Sequence, residues 1–167
     1  MAGAVAFAQS PKDFLPLDDY LLMWKISKQF THDVADKMPA DQYSFKATPQ
    51  EMSLGGLLIH IAVSTVFRFS QISGAKTPFS IPELQKKQLT KDEVLKLLDD
   101  SFDYAIDLIP KMTPEQLSKP IKVDWKGRPE ATGRTMMLNM FTHVAHHRAQ
   151  AEVYLRLKGI EPPVYTF

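Results

Sequence analysis

His143-Val144-Ala145-His146-His147-Arg148-Ala149-Gln150 is the stretch on which the reading of this chain turns. Read as helix, it sets positions 143 and 147 one above the other, because residues four apart stack on the same face of an α-helix. Two imidazoles so placed have bidentate metal spacing. A third imidazole from another helix, which His60 can supply, completes a three-nitrogen set with an open position. Catalytic divalent metals favour that arrangement over structural ones.

Working outward, the helix that bears this stretch runs from about Thr135 to Lys158 and stops at Gly159, with Pro162 and Pro163 just beyond. Three more segments share its apolar period. The first spans about Leu17 to Met38 between Pro16 and Pro39, with Asp18 and Asp19 near its N-terminus and Tyr20, Trp24, Ser27, Thr31 and Val34 along one face. The second begins at Thr48-Pro49-Gln50-Glu51, which has capping-box order, or alternatively at Ser53. It continues to about Ser73 and stops at Gly74, with Leu54, Leu57, Leu58, Ile61, Thr65 and Phe69 as its core face and His60 beside that face. The third opens on the capping box Thr90-Lys91-Asp92-Glu93 and carries Val94, Leu97, Leu98, Phe102, Ala105, Leu108 and Ile109 at spacings of three and four up to Pro110.

Each helix is about 30 Å long, which predicts an all-α four-helix bundle. The 74–90 link is long enough to reach from one end of such a bundle to the other, so a long crossover connection is expected in place of simple up-and-down topology. Between the third and last helices, Thr113-Pro114-Glu115-Gln116 predicts one short extra turn. Ile121-Lys122-Val123-Asp124-Trp125 then alternates like a small strand, an insert suited to capping one end.

At 167 residues the chain reads as one domain over 17–167, preceded by a flexible leader over 1–16. A net charge of +1 provides no basic field of the kind that draws nucleic acid, so no nucleic-acid partner is expected. With no cysteine, the chain has no disulfide, no thiolate zinc site and no thiol nucleophile of its own. No run approaches the roughly 20 uninterrupted apolar residues of a bilayer span, so no membrane association is expected. Met1 to Ser10 is small and apolar, and Ala6-Phe7-Ala8 has the form of a cleavage site, but a basic n-region is missing. A cytoplasmic location is therefore favoured, and a periplasmic or exported one follows if residues 1–8 are the end of a signal peptide.

Several chemistries fail on inspection. A zincin helix needs His-Glu-x-x-His, yet Val144 follows His143. Carboxylate-bridged di-iron bundles need Glu-x-x-His, and the residues three before the histidines are Gln29, Leu57, Met140, His143 and Val144. No phosphate loop or Gly-x-Ser-x-Gly elbow is present. A bis-histidine haem is disfavoured because an i, i+4 pair converges on one ion. What remains open for His143 and His147 is ligation of a metal or a hydrogen-bonded pair on a wet helix face. Neighbours lean toward the metal, since Gly56, Ser64, Asn139 and Gln150 flank the imidazoles where a packed core would place leucine. His146 points about 80° away from the mean direction of its neighbours, and suits a supporting or surface role. His32 reads as an ordinary hydrogen-bonded histidine.

The run from His143 to Gln150, followed by Tyr154-Leu155-Arg156-Leu157-Lys158-Gly159-Ile160-Glu161-Pro162-Pro163, resembles the C-terminal signature of the DinB-like (DinB/YfiT) family. Met52-Ser53-Leu54-Gly55-Gly56-Leu57-Leu58-Ile59-His60-Ile61-Ala62 resembles the segment carrying that family's first histidine, and Ala149 replaces the usual glycine of the His-His-Arg-Gly-Gln stretch. The resemblance implies a crossed four-helix bundle, usually dimeric, with a divalent metal, zinc or nickel, on histidines that map to His60, His143 and His147. It also implies kinship with enzymes that use a low-molecular-weight thiol for S-transfer to, or isomerisation of, a small electrophile. On that reading the substrate is a small molecule, the thiol is a cosubstrate from outside, and Asn139, His146, Arg148 and Gln150 are candidates for supporting the ligands or orienting substrate. The alternatives are a metal-dependent hydrolase using water and a non-catalytic dimeric metal-binding module.

Overall fold

Ser53 decides where the second helix begins. Its hydroxyl accepts the Gly56 N–H at 3.1 Å, whereas Thr48 to Glu51 closes only a turn, through the Glu51 N–H donating to the Thr48 carbonyl. Of the two starts offered by the sequence, the serine one is realised. Thr90 and Glu93 form the anticipated reciprocal box, as do Thr113 and Gln116, and Thr132 caps the last helix.

The computed structural model describes residues 16–84, 88–125 and 127–165. Its elements are α1 (Leu17–Lys37), α2 (Leu54–Ser73), the single turn α3 (Ile81–Leu84), α4 (Lys91–Leu108), the short α5 (Pro114–Ser118), β1 (Pro120–Trp125), β2 (Arg128–Thr132) and α6 (Gly133–Leu157). The leader expected over residues 1–16 lies, apart from Pro16, outside the described residues.

Side-chain ties fix the directions of the four long helices. Lys28 meets Asp103, His32 meets Asp99 and Lys91 meets Asp36, so α4 runs antiparallel to α1. Tyr20 donates to the Met137 carbonyl and Arg148 to Ser27, so α6 runs parallel to α1. Tyr154 donates to the Met52 carbonyl and His60 faces His143, so α2 runs antiparallel to α6. Tyr104 near the end of α4 donates to Ala75 just past the end of α2, which makes those two parallel neighbours. The link over 74–90 must therefore travel the length of the bundle, the long crossover anticipated from its length. α1 and α2 each pack on α4 and α6, which places α1 and α2 on opposite corners.

The corners meet at Trp24, fully buried, whose ring centroid lies 5.3 Å from both Phe69 and Phe102 and 6.2 Å from Phe141. One indole thus touches α2, α4 and α6 from α1. By length and composition α2 is apolar enough to cross a membrane. That qualifies the sequence reading, which looked only for an uninterrupted run. Its Leu54, Leu57, Leu58, Ile61, Val66 and Phe69 are all in the core.

The insert before α6 is a two-stranded antiparallel hairpin, with Pro120 opposite Thr132 and Lys122 opposite Glu130. β2 was not legible in sequence, because Pro129 and flanking charges lack strand alternation; an edge strand tolerates both. Gly127 turns the hairpin at φ 76°, in the left-handed region that glycine enters without steric cost.

Candidate metal centre

His60 projects from α2, and His143 and His147 from α6, into the seam between these two helices. Antiparallel packing brings the middle of α2 level with the middle of α6, and the four-residue spacing does the rest. His60 Nε2 lies 3.1 Å from His143 Nε2, which lies 3.2 Å from His147 Nε2. One ligand atom from each of the three falls within 4.8 Å of the others. A tetrahedral ion with bonds of about 2.0–2.1 Å holds its ligand atoms about 3.3–3.4 Å apart. The two short separations are close to that value.

Proton bookkeeping points the same way. At each nitrogen–nitrogen contact one atom at most carries the hydrogen, and His143 takes part in both contacts while its buried Nδ1 has no hydrogen-bond partner. Either tautomer of His143 leaves a buried nitrogen unsatisfied, at a cost of roughly 1–3 kcal/mol. A cation at the centre of the three imidazoles leaves Nδ1 as it is, but it replaces the sharing of hydrogens among the three Nε2 atoms by three lone pairs on one ion, and with the separations between those atoms the residues present fit a divalent metal.

Electrostatics keeps these ligands neutral. Burial pushes the His143 imidazole down to about 4, with His147, His60, His146 and Arg68 adding to the effect. His60 is lowered by burial and then by His147. His147 is lowered by burial and then by His146, against the opposing pull of the hydrogen bond it donates to Gln150. Neutral imidazoles offer lone pairs, which is the form a metal takes up.

The remaining sequence candidates are placed unequally. Gln150 Oε1 lies 2.7 Å from His147 Nδ1. An amide oxygen only accepts, so Nδ1 carries the proton and Nε2 faces the cluster with its lone pair, the support that metal-bound histidines usually have. His146 is exposed, with its ring 4.8 Å from that of His147 on the outer side. Asn139 is exposed one turn before His143.

Arg148 is not brought to the cluster. It is buried against α1, where Nη1 donates to Ser27 Oγ at 3.0 Å and Thr31 Oγ1 at 3.3 Å, with its guanidinium 4.6 Å from the Phe30 ring centre. It ties α6 to α1. The sequence placed it beside His147 correctly, but one step along a helix is about 100° around it. His32 pairs with Asp99 at 3.0 Å, away from the seam.

Arg68, the one Asp, Glu, Lys or Arg in the whole of α2, stands two turns after His60, and its charge is the smallest of the influences that hold the His143 imidazole down.

Residues 24–151 match the DinB superfamily. The uncharacterized Bacillus subtilis (strain 168) protein YjoA is 28% identical over 141 residues, covering 83% of this chain and 88% of that protein. The crystal structure of the B. subtilis DinB-like protein superposes with a TM-score of 0.69 at 24% identity over 88% of this chain and 97% of that one. A DinB-like protein from Bacillus cereus ATCC 10987 gives 0.72 at 18% identity, over 89% and 97%. With the match spanning most of the bundle and the fold shared, this chain belongs to the DinB superfamily.

Proposed function

We propose that His60, His143 and His147 hold one divalent metal ion, zinc or nickel, and that the site activates a low-molecular-weight thiol brought from outside, either for S-transfer to a small electrophile or for its isomerisation, in which the thiol adds and is released again. The observation that carries this reading is the convergence of three imidazole nitrogens with no fourth histidine or carboxylate in the group, among the described residues. Structural sites close with four protein ligands, whereas three leave a position for an exogenous one. A divalent ion bound there supplies Lewis acidity and lowers the pKa of a thiol or water at its open position.

The chain's own residues do the positioning. Burial keeps the three imidazoles neutral, and Gln150 holds the proton of His147 on Nδ1. With no cysteine in the chain, a sulfur nucleophile must be imported. A thiol is favoured over water because, among the described residues, no carboxylate joins the group to serve as general base. A thiol, with an ordinary pKa of about 8.5, needs far less help to ionise.

The test is elemental analysis of tag-free protein. About one zinc or nickel per chain is expected, lost in His60→Ala, His143→Ala and His147→Ala and kept in His146→Ala, with helical circular dichroism unchanged. Gln150→Ala should weaken metal affinity by roughly tenfold or more. Protein that takes up no metal on reconstitution, or equal loss from all four histidine variants, would overturn the assignment.

A further inference from the structure

The contact between His60 and His143 fixes the register of the two helices that bear them. Their Nε2 atoms lie 3.1 Å apart on antiparallel α2 and α6, so each turn up one helix is met by a turn down the other. Tyr154, which reaches the Met52 carbonyl, agrees with that register to within one turn. One turn toward the N-terminus of α2, Gly56 stands opposite His147, and one turn the other way Ser64 stands opposite Asn139. The three imidazoles therefore fill two layers of the seam, and a hydroxyl and a carboxamide form the next.

Ser64 is half-buried and Asn139 is exposed. The helical hydroxyls of Ser70, Ser73, Ser101 and Thr142 each donate to a carbonyl three or four residues back, whereas the Ser64 hydroxyl and the Asn139 side chain make no hydrogen bond within the described residues. A group that turns to water is ordinary; the place of this pair is not. None of the residues three or four positions from the three histidines is Asp, Glu, Lys or Arg. Of the polar ones there, Gln150 is taken by His147 and His146 lies on the outer side. Ser64 and Asn139 are left as the uncommitted hydrogen-bonding groups beside His60 and His143. Beyond them the exposed Phe67, about 20° from His60 around the axis of α2, provides an apolar wall.

We propose that Ser64 and Asn139 form a subsite for an uncharged carbonyl oxygen, so that the small molecules handled at this centre include a neutral carbonyl compound with an apolar body. The inference rests on the thiol reading of the metal centre and adds the group recognised beside it. A hydroxyl and a carboxamide each donate to a carbonyl oxygen, which has two lone pairs to accept them. Neither carries a charge, so the pair suits a ketone or an amide and lacks the charge-assisted bonds that single out a carboxylate. The carbonyl belongs to the thiol itself or to the electrophile, and the two sources are separable.

The experiment titrates zinc-loaded protein by calorimetry with N-acetylcysteamine, a thiol that carries an amide carbonyl, and with butane-1-thiol, which carries none. Cyclohexanone, a ketone that does not add thiols at a double bond, is titrated with butane-1-thiol already bound. Ser64→Ala and Asn139→Ala should each weaken N-acetylcysteamine or cyclohexanone roughly two- to tenfold, the loss of one neutral hydrogen bond. Butane-1-thiol affinity, zinc content and helical circular dichroism should not change, and Ser64→Thr, which keeps the hydroxyl, should bind as wild type does. A loss confined to N-acetylcysteamine supports a carbonyl on the thiol, and one confined to cyclohexanone supports a carbonyl on the electrophile. If neither carbonyl ligand is weakened, or butane-1-thiol is weakened as much, the subsite is overturned and the thiol reading stands. If no thiol binds zinc-loaded protein, the thiol reading falls and takes this inference with it.

Discussion

At His143 two demands compete: the seam buries the ring, and burial disfavours the charged form. The folded protein therefore keeps this imidazole neutral down to about 4, while in the unfolded chain it takes up a proton near 6.5. Between those values the unfolded state binds more protons than the folded state, so folding stability rises with pH and falls as pH is lowered through the window. His60 and His147 are shifted in the same direction. Chelator-treated protein should lose Tm progressively from pH 6.5 toward about 4, and His143→Ala should flatten that slope. A flat wild-type profile would mean that the ring is not buried as described. His143 and His147 were legible as a pair in sequence because residues four apart share a face in any helix, whereas packing of α2 on α6 brings His60 to them. The role of Arg148 was not legible, because it depends on which neighbour its side of the helix meets.

Among the elements, the joint between α5 and α6 is the tightest. A Cβ on Gly133 would lie 2.4 Å from the Gln116 carbonyl oxygen and 3.0 Å from Ile72, and the first of these is backbone that cannot swing aside. Gly133→Ala should destabilise by about 1–3 kcal/mol, seen as a lower urea midpoint at unchanged slope. An unaltered midpoint would show that the end of α5 gives way. Helix starts were readable wherever a hydroxyl and an acid or amide stand three apart, as at Thr90 and Thr113, since the motif is a local hydrogen-bond circuit. Where two local signals competed, at Thr48 and Ser53, the outcome followed tertiary anchoring. The Leu54 N–H donates to the Phe45 carbonyl and the Gly55 N–H to the Tyr43 carbonyl, which holds the preceding loop against the start of α2.

For the molecule as a whole, the core is complete without the metal centre. Trp24, Phe69 and Phe102 meet at the middle of the bundle, while the histidines line the α2–α6 seam at intermediate burial. Removing the proposed metal should therefore lower Tm by the linked binding free energy yet leave the helical circular dichroism intact at room temperature. Outright unfolding on chelation would make the ion structural and weaken the catalytic reading. The sequence by itself determined the four amphipathic helices, the caps at Thr90 and Thr113, the long link over 74–90 and the pairing of His143 with His147, because periodicity and capping act within one helix or one turn. Only the tertiary structure decided that α2 and α4 run parallel, that His60 comes level with the pair, and that Arg148 serves α1. Those facts depend on the rotation and axial offset of one helix against another, which packing of the whole core sets and no local pattern encodes.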